Sequence, residues 1–400
     1  MAARSPWLTP TGVANAAFIP TGIVNVILAP LLPVLAARWS LTDTQSGGLF
    51  AAQFLGSSLG TILSGRFVLR MGYRNVLMLG LTLMALGLGI LLLGARLLGM
   101  GAATVWGVGL GLTIPTANLL VAQVNPARRA AALNRLNFSW SVGAVLCPFL
   151  LAPFLRRPLA ATFLVGLAGA ILVLAAALWP AVLPAPAERA ALDESKAPIV
   201  RLLSQPPAAV LALLFFLYVG VENSTGGWLA SYARRIAAGG VIWATIPSFF
   251  YGALLLGRGV AHLALRRAQE TQLVRWSLVT AVFGLIVLVS SRTTGGVMEG
   301  SIMAGVGLSV VYPITIAVFA QLFGDASTRL GAVMFTMGGL GGATVPWLVG
   351  FVSTRFFSLK MGLLVPLGGC ILMLGLYRGR WSGGTGRVVE AAEIGARLIN

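Results

Sequence analysis

The 400-residue chain is 58% hydrophobic and only 10% charged, with a mean hydropathy of +0.91. A soluble domain carries about 25% charged residues, so this composition excludes a soluble globular protein and points to an all-α integral membrane protein. The net charge of +18 is spread between apolar runs and does not form the basic patch that a nucleic-acid binder needs, so no nucleic-acid partner is expected.

One crossing of the bilayer takes about 20 apolar residues, and twelve would use roughly 240. Apolar runs bounded by charge or turn clusters fall near residues 12–37, 45–69, 75–95, 97–124, 130–155 and 158–180. A second series follows at 207–233, 240–265, 271–291, 296–323, 328–355 and 360–377. Residues 1–12 merge directly into the first run, so that span is expected to be retained and not cleaved as a signal peptide. Cys147 and Cys370 lie inside apolar runs, with no disulfide framework, no C-x-x-C and no zinc spacing. No cofactor, metal ligand or catalytic residue is expected.

An even number of spans puts both ends on one face. With a cytoplasmic start, the other face holds Arg38, Arg96, Arg156, Arg157, Arg234, Arg235, Arg292, Arg355 and Lys360, nine of 28 basic residues. The cytoplasmic face keeps the remaining 19 (28 minus nine), which is the positive-inside bias and predicts an inner (plasma) membrane protein with both termini cytoplasmic. Trp39, Trp179, Trp276 and Trp381 stand at span ends, as interfacial aromatics do.

The longest polar interval, 181–206, carries Glu188, Asp193, Glu194 and Lys196 between prolines and reads as a cytoplasmic linker. It divides the chain into an N-terminal six-helix bundle (1–180), a C-terminal six-helix bundle (207–378) and a cytoplasmic tail (379–400). A repeat joins the two halves. GVGLGLTIP from Gly107 to Pro115 aligns with GVGLSVVYP from Gly305 to Pro313, and Gln123 with Gln321. The same shift of 198 (305 minus 107) pairs Gly143 and Pro148 with Gly341 and Pro346, and Gly22 and Asn25 with Gly220 and Asn223. One ungapped shift shared by three span pairs predicts a duplicated unit, hence two bundles related by a pseudo-twofold axis.

The loop after the second span reads Gly65, Leu69, Arg70, Gly72, Tyr73 and Arg74. With the six-plus-six layout and central linker, it resembles the signature of the major facilitator superfamily. In that family the Leu69 position holds an aspartate that helps clamp the cytoplasmic gate. The resemblance implies that Gly65, Arg70, Gly72 and Arg74 form the cytoplasmic gate loop here, without that carboxylate latch. Gly257-Arg258, leading to Arg266 and Arg267, is its looser counterpart in the second half. The stretch YVGVENSTGGWLASYARR from Tyr218 to Arg235 looks like the seventh span of the fucose- and glucose-type proton symporters, and residues 115–148 are similar to their fourth and fifth spans. Those symporters usually carry carboxylates in spans one and four, where this chain has none.

Glu222 stands near the centre of the seventh span, one turn before Gly226-Gly227. A carboxylate at bilayer depth costs at least ~2.5 kcal/mol, so it must face a wet cavity or take up a proton. Cycling between those states would couple transport to a proton gradient; a structural hydrogen bond or a direct substrate contact are the alternatives. Asn134, Asn137 and Ser141 share one face of span five, with Trp140 adjoining. Asn25, Asn118, Asn223 and Tyr312 fall on spans one, four, seven and ten, which line the cavity in the resembled fold. Amides both donate to and accept from hydroxyls, and Trp140 and Trp228 offer flat faces for a sugar ring. Interhelical contact is the alternative role for each asparagine. His262 and Glu299 are expected near span ends, and Arg66 and Arg258 are expected to snorkel to water or to pair with helix-end carbonyls.

Gly56-Ser57-Ser58-Leu59-Gly60 matches G-x-S-x-G, but it lies in a membrane helix with one histidine in the whole chain, so no hydrolase is expected. No ATP-binding motif is present either, leaving gradients as the energy source. The expectation is a secondary active transporter, a monomer in the lipid bilayer, that moves a sugar or similar small molecule together with a proton by alternating access. A proton-driven antiporter of lipophilic cations and an uncoupled sugar uniporter are the alternatives.

Overall fold

The structure, a computed structural model, describes residues 9–155, 159–186, 206–237, 239–265, 269–323 and 327–379. Arg156, Arg157, the acidic stretch of the expected linker, Arg266, Arg267 and Trp381 lie outside the described residues, as does nearly all of the expected tail. All regular structure among the described residues is helical. In chain order the helices are α1 Pro10–Val26, α2 Leu28–Arg38, α3 Asp43–Leu92, α4 Arg96–Val124, α5 Arg129–Leu155, α6 Ala160–Ala177 and α7 Pro206–Ile236. They continue with α8 Ile246–Leu265, α9 Glu270–Ser290, α10 Thr294–Leu308, α11 Val311–Phe323, α12 Ser327–Arg355, α13 Leu359–Gly362 and α14 Leu364–Gly379. Ten stretches among the described residues are long and apolar enough to cross a membrane.

Proline chemistry explains where runs of helix break. Proline has no N–H to donate to the carbonyl four residues back, and its ring crowds that carbonyl. Pro30 therefore interrupts the chain at Val26, where α1 ends, and Pro313 at Ser309, between α10 and α11. Pro366 likewise strikes at Gly362, where α13 ends. Pro20, Pro115, Pro148 and Pro346 are carried within continuous helix.

The fifty-residue α3 is interrupted by non-helical backbone at Gly72, with φ +78° and ψ 164°. Glycine alone reaches this conformation without strain. The contacts on either side show a reversal of direction. Gly56 and Gly60 meet Thr104 and Val108 of α4 in parallel order, whereas Gly80 and Gly87 meet Gly109 and Trp106 in the opposite order. The chain thus turns back on itself at Gly72, inside the expected gate loop.

Glycines also set the helix crossings. A Cβ on Gly22 would overlap the Trp140 carbonyl oxygen, and one on Gly143 that of Ile19, so α1 and α5 touch backbone to backbone. A Cβ on Gly341 would overlap the Phe216 carbonyl oxygen, and one on Gly220 would meet Val345 and the Gly341 carbonyl. The α7–α12 crossing therefore uses the positions that the 198-residue shift pairs with the α1–α5 crossing. Helices of the first half meet those of the second where α3 packs on α12, α5 on α8 and α2 on α7.

Candidate substrate and coupling site

Tyr218, Glu222 and Gly226 are spaced four apart on α7 and form one stripe. Tyr218 stacks on Tyr312 of α11, with ring centroids 5.2 Å apart and planes at 24°. A Cβ on Gly226 would lie 2.5 Å from the Tyr251 hydroxyl of α8. Glu222, one turn from each, is therefore held on the face of α7 turned toward α8 and α11, inside the bundle. From α8, Arg258 reaches it: Nη2 donates to Glu222 Oε2 at 3.3 Å and to the Tyr218 hydroxyl at 3.1 Å.

The expected snorkelling of Arg258 is thus corrected. Its guanidinium turns into the protein because a carboxylate and two tyrosines wait there, although nothing nearby in sequence announces them. The pair is loose, since an N–H donated between ions ordinarily spans 2.7–2.9 Å. It is also reachable, with 11% of the Glu222 side chain and 25% of the Arg258 side chain still accessible. Arg258 Nε, in contrast, is buried without an acceptor.

The other expected residues scatter around this centre. Asn223 is half-buried beside Glu222 and donates to the Val219 carbonyl of its own helix at 2.8 Å. Asn118 does the same to Ile114 at 2.8 Å, and Asn137, exposed, to Leu133 at 3.0 Å. These bonds use the amide N–H groups and leave the amide oxygens to act as acceptors. Asn25 joins the first-half core: Gln53 donates to its carbonyl at 2.9 Å and its side-chain oxygen at 3.4 Å, while Trp106 donates to Gln53 at 3.0 Å. Trp140 is half-buried where α5 crosses α1. Trp228 is 1% exposed, donates to the Pro346 carbonyl at 3.0 Å and packs on Phe50, so its faces are occupied by protein here. Arg66 and Glu299 are exposed, and the His262 side chain lies outside the described residues.

In the gate loop, Arg70 is exposed, and a Cβ added to Gly65 would have no atom within 4 Å. Arg74 donates to the Trp179 carbonyl at 3.0 Å and lies 5.7 Å over its ring. Tyr73 donates to Gln123 at 2.7 Å, and Gln123 donates to the Ala185 carbonyl at 2.8 Å. The loop is thereby tied to α4 and to the start of the expected linker.

A second polar centre has no local signal in the sequence. Thr42 caps α3 in a reciprocal pair with Gln45, which puts Asp43 in the first turn, where the helix dipole favours a negative charge. The Asp43 carboxylate accepts from Arg235 of α7 at 2.5 Å and from Ser353 of α12 at 2.5 Å. Beside it the Thr44 N–H donates to Thr354 at 2.9 Å, and Arg234 donates to the Pro33 carbonyl at 2.6 Å. This clamp joins the two halves at the face opposite the expected linker. Their contact continues along α3 and α12 through Phe54–Gly342 to Ser58–Gly339. In the sequence Asp43 is indistinguishable from an ordinary helix-capping acid, since its partners are 192 and 310 residues away.

An all-helical fold with repeated apolar crossings, and an ion pair in its interior, defines a multi-pass membrane protein built around buried polar chemistry. The model of the Major Facilitator Superfamily matches residues 15–346, and the chain belongs to that family. It is 23% identical over 160 residues to a glucose/galactose transporter of Brucella abortus, covering 39% of this chain and 38% of that one. It is 25% identical over 235 residues to a niacin transporter of Acinetobacter baylyi, covering 56% and 53%. The chain thus matches about half or less of the length of these relatives. Among solved structures, a bacterial homologue of the lysosomal transporter Spinster, inward-facing and unoccupied, superposes with TM-score 0.77 at 14% identity, covering 96% of this chain and all of that one. A D-xylose-proton symporter gives 0.74 at 13%, covering 93% and 96%.

Proposed function

We propose that the chain is a secondary transporter of twelve transmembrane helices, arranged as two six-helix bundles related by a pseudo-twofold axis, and that it carries a small polar solute of the sugar class in symport with a proton. The reversal at Gly72 and the twenty-residue α8 support counting twelve crossings. The matching glycine crossings, Gly22 with Gly143 and Gly220 with Gly341, support the duplication. The names of the relatives favour a sugar. Both chain ends and the linker are assigned to the cytoplasm and the clamp face to the outside of the inner membrane, on the basic-residue bias, and the working unit is the monomer.

The observation that carries the coupling is the Glu222–Arg258 pair, loose and accessible in the interior of the second half. Protonating Glu222 discharges the carboxylate and frees the guanidinium; deprotonation restores the pair. Each state makes different contacts with a solute, and differential contacts are what a transport cycle requires. The Asp43 clamp closes the outer face in the present state, so the cycle must break it to admit solute from outside. Reconstituted into liposomes under an inward pH gradient, the protein is expected to concentrate sugars, and Glu222→Gln to lose concentration while retaining exchange. Equilibration of sugar without concentration, whatever the pH gradient, marks a uniporter, and gradient-driven export of lipophilic cations an antiporter.

A further inference from the structure

We propose that Arg258 is the receptor for a carboxylate on the transported solute, so that the cargo is a monoanionic acid, a sugar acid rather than a neutral sugar. This rests on the reading of Glu222 as the proton site. A guanidinium carries five N–H donors in a fixed fork, and its carboxylate-binding edge pairs Nε with one Nη. Both described bonds of Arg258 leave from Nη2, one to Glu222 and one to Tyr218. Nε is buried and makes no hydrogen bond. A buried, unsatisfied donor on a cation costs more than one on a neutral group, and an unfilled edge of a binding fork accounts for its retention here.

The surroundings leave the exchange to these two charges. Glu222 faces Tyr218 on its own helix, Arg258 and Tyr251 from α8, and Tyr312 from α11. Near this level α12 sets Gly341 and Val345 against α7, and α14 sets Gly369 against it. When Glu222 takes a proton, Arg258 loses its counter-charge, and an uncompensated buried charge is strongly destabilising. A carboxylate entering through the accessible side of the pair restores neutrality, and the guanidinium, once released from Glu222, can turn its Nε edge to it. When Glu222 releases its proton, the two carboxylates compete for one guanidinium and the solute is expelled. One proton therefore moves with one monoanion, and no net charge crosses the membrane.

The test uses the purified protein and thermal stabilisation by gluconate, glucuronate, lactate and nicotinate, each beside its neutral alcohol, sugar or amide counterpart, from acid to mildly alkaline pH. At least one carboxylate is expected to stabilise and to bind about tenfold or more tightly at the acid end than at the alkaline end, as removal of a competing charge allows, with its neutral counterpart weaker. Glu222→Gln should keep that binding and lose its pH dependence. Arg258→Gln should lose it at least about tenfold, as expected for a buried charge-assisted contact, and Arg258→Lys, which keeps the charge but not the fork, should fall between. If Arg258→Gln fails to fold, the Glu222→Gln/Arg258→Gln double variant carries the comparison against Glu222→Gln alone. Stabilisation by neutral sugars alone, by no carboxylate, or by carboxylates undiminished without Arg258 overturns the proposal. Carboxylate binding that needs Arg258 but keeps its pH dependence in Glu222→Gln sustains the receptor and refutes the proton site. In liposomes, uptake of the binding acid driven by a pH gradient should be indifferent to a potassium-valinomycin potential; a potential-dependent rate contradicts the one-to-one count.

Discussion

Glu222 and Arg258 are unequally legible. A lone acid in the middle of an apolar run declares itself, because its cost at bilayer depth demands a reason. Arg258 stands in sequence beside glycines and ahead of a basic cluster, a setting that reads as a helix end reaching water. What turns it inward is Glu222, 36 residues away, and no local pattern records that distance. Removing either partner alone leaves a buried charge, whereas removing both leaves none. Arg258→Leu is therefore expected to cost about 3–5 kcal/mol of stability, and the Glu222→Gln/Arg258→Leu double variant to recover most of it. A thermal-denaturation cycle over the native protein, the two single variants and the double variant reads the coupling; strictly additive losses would mean the pair does not interact.

At the scale of helices, glycine and proline carry most of what the sequence makes visible. The spans stand out as apolar runs, and the 198-residue shift stands out because Gly22, Gly143, Gly220 and Gly341 hold close crossings in both halves. At Gly22, Gly143 and Gly341 a methyl group would enter a neighbouring backbone, and at Gly220 it would strike Val345. Gly143→Ala and Gly341→Ala are each expected to lower stability by about 1–3 kcal/mol, the range of overpacking. Gly65→Ala, with nothing within 4 Å, should leave the melting temperature unchanged. Equal losses at all three positions would remove close packing as the reason for the repeat. The breaks at Val26, Ser309 and Gly362 follow from prolines four residues on. The placement of the asparagines does not follow from their spacing, because the side chains of Asn118, Asn137 and Asn223 return to their own helices.

For the whole molecule, the two halves are pinned together at one face by Asp43, Arg235 and Ser353. Arg235 is half-exposed, and exposed ion pairs contribute only about 0–1 kcal/mol, so the clamp is weak enough to open in the proposed transport cycle. Asp43→Asn should shift the population toward a state open at this face. Phe50, a buried residue of α3 packed on Trp228 of α7, reports it as Phe50→Cys, because Cys147 and Cys370 are themselves buried. An impermeant thiol reagent should label Phe50→Cys several-fold faster in the Asp43→Asn background; unchanged labelling would deny the clamp a gating role.

Proton binding at Glu222 is the step held to drive solute movement, and uptake into liposomes under an imposed pH gradient reads it most directly. Glucose, galactose, xylose, gluconate and glucuronate are offered to the native protein and to Glu222→Gln. The native protein should concentrate at least one of them above the external level, and Glu222→Gln should equilibrate that solute without concentrating it. Concentration by Glu222→Gln equal to that of the native protein would contradict a coupling role for this carboxyl group.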